Sequence, residues 1–567
     1  MLKVSNLSKR FPDGPVLDGV TFILNAGERV GLVGPNGSGK STLLKIIVGT
    51  LRPDSGAVTL GQSDRVGYLA QYPEDALHLT VDEALTTADA ALDAARREMD
   101  AAVADLARTD LSDDEHEKVM ARYASAIERF ESCGGYEFEH RAEEVRDGLG
   151  LAEIGLERVV STLSGGQKTR LALARLLLTA PTILLLDEPT NYLDLPALLW
   201  LERFVAESQQ AAIIVSHDRR FLDQTVTSIL ELDAETHKLK AYPGNFTAYA
   251  EIKEREREKE AAAYQDQVER IDAFEQQIRD LKYKARYTET STIHFHYRKI
   301  AKGVAKRAKS QERRLERYKG EEDRLARPEE EKRLYLKDLA ESALKDHRLA
   351  VAAQDLRFGY DETTLLDGIT LDVHGGDRLA LIGANGSGKT TLLRALAGDI
   401  DVAGTIRYGD GVQVGYLPQE QPATTETGRK TVLETFRAGV IGYEDQARAF
   451  LDKFLLTGDD VMRRVDQLSY GERSKLGLAI LVASGANVLL LDEPTSHLDL
   501  SAVERVESAL IDYPGPLIVT SHDRFFLRRI GITGVVMLEN GKLRRLDDLD
   551  SYEAEIVTGS GAARRIA

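Results

Sequence analysis

Cysteine is nearly absent from this chain: of 567 residues, only Cys133 is one. A lone thiol closes no internal disulfide and builds no zinc cage or iron–sulfur cluster. Long hydrophobic runs are missing too. No stretch reaches the roughly 18 apolar residues needed to span a bilayer. The longest candidates, Ile183 to Leu186 and Val488 to Leu491, read as buried strands. No secretory leader precedes the strand pattern that opens at Met1-Leu2-Lys3-Val4, so a cytoplasmic location without membrane insertion is expected. Positive charge is in deficit. The formal net charge is −18, which excludes a uniformly basic nucleic-acid coat but leaves room for a local basic patch. Apolar residues, at 43%, are in ordinary supply, enough for two or three domains with sizeable cores.

What is present is a repeat. Val33-Gly34-Pro35-Asn36-Gly37-Ser38-Gly39-Lys40-Ser41-Thr42 returns as Ile382-Gly383-Ala384-Asn385-Gly386-Ser387-Gly388-Lys389-Thr390-Thr391. Gly67-Tyr68-Leu69-Ala70-Gln71 returns as Gly415-Tyr416-Leu417-Pro418-Gln419. Leu184 to Thr190 returns as Leu489 to Thr495, and Ser216 to Arg219 as Ser521 to Arg524. The offset is 349 at the lysines and 348 at the glutamines but 305 at the later matches. The first copy therefore carries an extra segment of about 43 residues after the glutamine, placed within 82–145. That stretch is rich in helix formers, and Ser112-Asp113-Asp114-Glu115 is a capping-box signature for a second helix in it. The domains are expected at 1–245, with this arm, and at 348–550, followed by a short tail, 551–567. Between them lies a linker, 246–347. There Val268, Ile271, Ile278 and Leu281, and less cleanly Ile300, Val304, Gln311, Leu315 and Tyr318, recur at helical spacing. Two long helices with an irregular turn near Thr288 to Phe295 would form an antiparallel hairpin.

Both glycine-rich stretches fit G-x-x-x-x-G-K-[ST] after an apolar strand. Glycines let the backbone curl its N–H groups toward phosphate oxygens, and the following helix presents its positive end. Lys40 and Lys389 would meet the β- and γ-phosphates, and Ser41 and Thr390 would ligate Mg²⁺. Gly34, Asn36, Gly37, Gly39 and Thr42, with Gly383, Asn385, Gly386, Gly388 and Thr391, complete the two candidate cradles. Each copy also ends an apolar strand in Asp-Glu before Pro-Thr. Asp187 and Asp492 suit the Mg²⁺ shell, and Glu188 and Glu493 are free to orient or deprotonate a water.

Leu163-Ser164-Gly165-Gly166-Gln167 resembles the ABC ATPase signature, which separates that family from other P-loop proteins. Gln71 and Gln419 match the family's Q-loops, which ligate the metal. His217 and His522 match its switch histidines. Asn191-Tyr192-Leu193-Asp194 and Ser496-His497-Leu498-Asp499 match its D-loops. Phe11 and Tyr360, each six residues before a leucine, match the aromatic that stacks on adenine. The resemblance implies an α/β fold with two P-loop ABC ATPase domains joined by a long α-helical hairpin linker. It implies head-to-tail pairing around two ATP molecules with Mg²⁺. Site one would face Ser469, Gly471 and Glu472, and site two would face Ser164, Gly165, Gly166 and Gln167. The second signature, Leu468-Ser469-Tyr470-Gly471-Glu472, departs from the pattern by adding a negative charge. Both sites keep their glutamate, so both are expected to hydrolyse ATP. Fused copies supply both halves of each site, so a monomer is expected.

From Lys282 to Lys319 there are thirteen Lys or Arg against three Glu, whereas 251–281 carries six basic and ten acidic residues. Tyr283, Tyr287, His294, Phe295, His296 and Tyr297 interleave the basic tip. Cations neutralise phosphates, and aromatics stack on unpaired bases or sugars. With the arm, the two copies and the Tyr297-to-Lys302 and Arg313-to-Arg317 segments, the chain resembles the ABC-F family. That resemblance implies a ribosome partner. The ATP-closed form would enter the E site, and the tip, 282–319, would reach the P-site tRNA, rRNA and peptidyl-transferase centre. The role implied is translation factor or antibiotic-resistance ribosomal protection. The rival reading is the cytoplasmic ATPase subunit of an importer, whose job calls for no long basic hairpin. DNA-repair ABC ATPases carry zinc cysteines or much longer coiled coils, and the iron–sulfur recycling factor needs more than one cysteine.

Overall fold

The computed structural model describes the chain except residues 13, 63, 70–76, 89, 107–112, 133, 291–294, 320–343, 345–346, 361–362, 420–428, 441–442, 455, 497 and 564–567. The two copies have the same architecture. In the first, strand Leu2–Phe11 lies between Gly14–Leu24 and Ser55–Leu60 in an antiparallel sheet. Leu2 and Val4 face inward with the period two of a half-buried sheet, and a register shift between Val4 and Leu7 brings Leu7 to the same buried face. A second sheet runs Val66–Tyr68, Ile183–Asp187, Ala211–Val215, Arg29–Val33, Ser228–Leu232 and Leu239–Pro243, with only the last strand antiparallel. Its central strands are apolar throughout because both faces are covered. Ile183, Leu184, Leu185 and Leu186 are each at most 1% exposed.

The second copy repeats this layout. Thr363–His374, Leu349–Tyr360 and Ala403–Tyr408 form the small sheet. Val414–Leu417, Val488–Asp492, Leu517–Thr520, Arg378–Ile382, Gly534–Glu539 and Lys542–Leu546 form the large one. In both copies the phosphate-loop strand, the Asp-Glu strand and the strand before the switch histidine are parallel neighbours. Their carboxyl ends share one edge, where such sheets place ligands.

In the arm region, helices Ala90–Leu106 and Asp113–Ser132 run antiparallel. Arg122 bonds Asp105 at 2.7 Å and Arg129 bonds Glu98 at 2.5 Å, so pairing partners step in opposite directions.

Thr247–Lys332 forms a compact unit apart from Met1–Phe246 with Arg333–Ala567. It contains most of helix Phe246–Thr290 and all of helix Phe295–Lys319. Its buried seam includes Ile278 and Ala285 on one helix and Ala308 and Leu315 on the other. Each pair is one heptad apart, as side-by-side helices require, and Lys282 bonds Glu312 between them. Val268, Ile271, Leu281 and Val304 are half-buried beside that seam. The tip residues 291–294, including His294, lie outside the described residues, as do the side chains of Phe295, His296, Tyr297, Ile300 and Tyr318. No described helix is long and apolar enough to cross a membrane.

The stretch read as a tail begins inside helix Leu549–Ala563. Asp548 caps it, accepting from the Ser551 N–H at 2.7 Å, and Tyr552 is buried.

Candidate functional sites

Each phosphate loop is shaped by glycines that no other residue could replace. Gly34 sits at φ +152°, and a Cβ there would lie 2.4 Å from the Leu232 carbonyl oxygen. Gly383 repeats this at +148° and 2.4 Å from Leu538 O. Gly39 and Gly388, left-handed, precede helices Lys40–Val48 and Lys389–Ala397, leaving the helix N–H groups without a side-chain cap. Such an end suits an anion.

Lys40 Nζ donates to the carbonyls of Gly34 at 2.7 Å and Pro35 at 2.9 Å. Lys389 does the same to Gly383 and Ala384, at 2.8 and 2.9 Å. Burial pulls both ammonium groups below their ordinary pKa, opposed by nearby carboxylates. For Lys40 these are Glu188, Asp499 and Asp187, and for Lys389 they are Glu493, Asp194 and Asp492. Ser41 and Thr390 are exposed beside them, Thr42 is half-buried and Thr391 is buried.

The carboxylate pairs are held by neighbours from the same sheet edge. The Tyr68 hydroxyl donates to Asp187 Oδ2 at 3.4 Å, and burial, reinforced by that carboxylate, pushes the Tyr68 pKa up to about 12. Tyr416 meets Asp492 the same way, at 3.4 Å, and Thr520 Oγ1 donates to the buried Asp492 Oδ1 at 2.7 Å. Glu188 and Glu493 both adopt left-handed backbone, φ 50° and 48°. That conformation is uncommon for a residue with a Cβ and tends to collect at functional sites. Each glutamate meets its switch histidine. His217 Nε2 lies 3.2 Å from Glu188 Oε1, and His522 Nε2 lies 3.4 Å from Glu493 Oε1. Burial raises the Glu188 pKa from 4.5 to about 7, against the pull of Lys40.

The two signatures differ less than their letters suggest. Ser164 caps helix Gly165–Leu178 in a reciprocal box with Gln167. Ser469 and Glu472 build the same box on helix Tyr470–Ala483. Gly165 and Gly166 have nothing within 4 Å of an added Cβ, so Tyr470 in place of the first glycine breaks no backbone rule. Glu472 is also matched by a cation, since Arg463 Nη1 donates to Glu472 Oε1 at 2.8 Å. Burial opposes the Glu472 charge, but the Ser469 N–H and hydroxyl together with Arg463 outweigh it and hold its pKa below the usual range. Arg158, in the corresponding turn of the first copy, spends its guanidinium on Thr162 instead. The sequence reading missed Arg463, whose signal was the pairing of a signature glutamate with an arginine nine residues earlier. Arg463→Ala is expected to lower ATP turnover roughly three- to ten-fold, the weight of one charge-assisted hydrogen bond discounted for exposure. Adding Glu472→Gln should restore it, because a neutral amide needs no counter-charge. Steady-state hydrolysis rates check both, and a loss that the second change leaves in place refutes the charge-matching account.

The D-loop aspartates bring the copies together. Asp499 Oδ1 caps its own helix, Leu500–Ile511, and Asp499 Oδ2 accepts from the Asn36 N–H at 3.1 Å. Asp194 caps Leu195–Glu207 and accepts from the Asn385 N–H at 3.4 Å. Each phosphate loop is thus touched by the D-loop of the other copy. The candidate adenine aromatics, Phe11 and Tyr360, stand 38% and 52% exposed at strand ends, the accessibility that stacking on a base requires. Gln419 is exposed just past strand Val414–Leu417. Gln71 and His497 lie outside the described residues. Among the described residues no cluster of three His, Cys, Asp or Glu forms a metal cage. The hydroxyl-plus-carboxylate donor sets suit a hard cation that shares its shell with phosphates and water.

On the hairpin, Tyr283 and Tyr287 are 71% and 63% exposed. Their rings stack with centroids 6.3 Å apart, flanked by Lys282, Lys284 and Arg286.

The family profile described as ABC transporter matches residues 17–191 and 366–496, and a second profile of that description matches 232–335. The chain is 38% identical over 560 residues to the putative ATP-binding protein YdiF of Bacillus subtilis (strain 168), covering 97% of this chain and 82% of that one. It is 32% identical over 553 residues to ABC transporter F family member 2 of Arabidopsis thaliana, covering 96% and 77%. Among solved structures it is similar to the complex of archaeal ribosomal stalk protein aP1 and archaeal ribosome recycling factor aABCE1. There the TM-score is 0.59 at 20% identity, over 98% of this chain and 92% of that one, a likeness of fold.

Proposed function

Because this chain belongs to the ABC-F family of ABC ATPases, whose tandem domains bind and hydrolyse ATP, we propose that ATP closes its two copies on each other and that the closed form acts on the ribosome. The observation that carries the first half is the exchange of D-loop aspartates, Asp499 to Asn36 and Asp194 to Asn385. Each ATP then lies between one copy's phosphate loop and the other's signature. Site one joins Lys40, Ser41, Gln71, Asp187, Glu188 and His217 to Ser469, Gly471 and Glu472. Site two joins Lys389, Thr390, Gln419, Asp492, Glu493 and His522 to Ser164, Gly166 and Gln167. Phosphate enters where the lysines now bond their own loop carbonyls, so the ammonium groups exchange those carbonyls for β- and γ-oxygens. Phe11 and Tyr360 stack on adenine. Ser41, Gln71 and Asp187, or Thr390, Gln419 and Asp492, would hold Mg²⁺, which would supply neutralising charge to the phosphates. Glu188 and Glu493 accept a proton from the attacking water, and His217 and His522 hold those carboxylates in place.

The ribosomal half is supported by the hairpin, whose net positive charge and exposed stacked tyrosines fit RNA phosphates and unpaired bases. The recycling factor that shares the fold is itself a ribosome factor by its description. The target is the E site, with the tip toward P-site tRNA, in a cytoplasmic monomer. Co-sedimentation tests it. The Glu188→Gln, Glu493→Gln protein should pellet with ribosomes in ATP and not in ADP, more weakly as salt rises. Replacing Lys282, Lys284, Arg286, Arg298 and Lys299 by Ala should cut pelleting at least about ten-fold. Failure to pellet in any nucleotide state would sink the ribosomal reading.

A further inference from the structure

The residue after each switch-histidine pair does not stay in its own copy. Arg219, two positions past His217, is 3% exposed. It gives Nη1 to both carboxylate oxygens of Glu507, at 3.0 and 3.1 Å. Glu507 is fully buried in helix Leu500–Ile511 of the second copy. Arg524, two past His522, is 1% exposed and bonds Glu202, 7% exposed, in helix Leu195–Glu207 of the first copy. The two contacts are symmetry mates. Glu202 lies eight residues on from Asp194, and Glu507 eight on from Asp499.

Eight residues are just over two helical turns, about 12 Å along the axis. Each D-loop helix is therefore gripped twice by the opposite copy. Its capping aspartate takes an N–H of the phosphate loop, and its second-turn glutamate takes the arginine beside the switch histidine. Around site one the contacts form a continuous path: Asn36, Asp499, the helix, Glu507, Arg219, His217, Glu188. Site two repeats that path through Asn385, Asp194, Glu202, Arg524, His522 and Glu493. A helix moves as a rigid rod, so displacement at one grip is felt at the other.

The geometry points to Arg219 and Arg524 as positioning residues for hydrolysis. Each ties its switch histidine to the opposite copy's D-loop helix, so that the histidine meets its glutamate in register only when that helix is seated on the phosphate loop. The chemistry is thereby coupled to pairing of the copies. The inference rests on the catalytic reading of Glu188 and His217.

The test is ATPase kinetics on the full chain carrying Arg219→Met with Glu507→Leu, which removes the ion pair but keeps apolar packing. A buried pair replaced this way often leaves stability intact. The expected result is kcat lower by about ten- to a hundred-fold, because misplacing a reacting group by about 1 Å costs up to that much. KM for ATP should stay within about two-fold and the melting curve should be unchanged. Arg219→Lys is the second variant. It keeps the charge but loses the planar guanidinium that lies over the Phe525 ring, and should lose kcat with wild-type KM and melting. Wild-type kcat in either folded variant overturns the proposal. So does a fall in kcat that comes only with a matching rise in KM and loss of the melting transition, which would mark Arg219 as mere packing. Glu188→Gln measured alongside separates the two failures. If it leaves kcat untouched, the catalytic reading is wrong. If it lowers kcat while the Arg219 variants do not, only the coupling is wrong.

Discussion

Replacing Glu188 and Glu493 together by Gln is expected to lower ATP turnover by about 10²- to 10⁴-fold, the usual contribution of a positioned general base. Nucleotide binding should persist, because the lysines, the loop glycines and the signature serines are untouched. The two glutamates share what a base at this position needs: a left-handed backbone, φ 50° and 48°, and a histidine nitrogen at 3.2 and 3.4 Å. Single variants should each retain part of the rate. A double variant that hydrolyses within ten-fold of the wild type would remove these glutamates from the mechanism. The Glu188 change has a second consequence in the nucleotide-free protein. Burial raises this carboxyl from 4.5 to about 7 on folding. The folded state therefore holds a proton that the unfolded chain releases, and stability from this group is lost as pH climbs between those values. Above pH 7 the enzyme carries a buried charge there, which Gln lacks. Glu188→Gln should melt higher than the wild type at pH 8, with the gap closing toward pH 5. An equal melting temperature at both pH values would contradict the burial argument.

Arg524→Ala is expected to destabilise the protein by about 3–5 kcal/mol, the cost of leaving a buried charge unpaired. Glu202 is 7% exposed and has little access to water once the guanidinium is gone. Removing Glu202 as well, with Leu in its place, should recover much of the loss, since the desolvated charge disappears with its partner. Urea unfolding of the four proteins completes the cycle. A single-variant loss below about 1 kcal/mol would show the pair to be solvated, as surface ion pairs are. Glu553 is a further neighbour to include. It pairs in fork geometry with Arg220 of the first copy, at 2.7 and 2.5 Å, and lies 4.0 Å from Arg524. The carboxy-terminal helix thus belongs to the same interface, where the sequence alone showed only a short tail, 551–567.

Why some of this was legible in advance and some was not comes down to the range of the interactions. A phosphate loop is local: its glycines, lysine and hydroxyl lie within eight residues, so the chemistry survives as a string. The same holds for Asp187-Glu188 after its strand and for Ser164 with Gln167, whose capping box spans four residues. Period carried the sheets and helices, and a change in offset between the copies located the extra segment of the first. The hairpin seam was read less well. Ala285 and Ala308 are buried there, but alanine is a weak hydrophobic signal and is also common on exposed helix faces, so the larger residues beside it drew the reading. Glu472 was read only as an added negative charge because its counter-ion, Arg463, belongs to the preceding turn rather than to the motif.

The sequence alone determined the chemistry this protein can perform: two phosphate cradles, two Asp-Glu pairs, two switch histidines and two signatures, each set by short-range geometry that a few adjacent residues encode. Only the tertiary structure decided which side chains of one copy meet the other. Asp499 reaches Asn36 and Arg219 reaches Glu507 across hundreds of residues, and no spacing or period marks such pairs. They are created when two folded surfaces exclude water from the charges between them, and an unfolded string has no such surface.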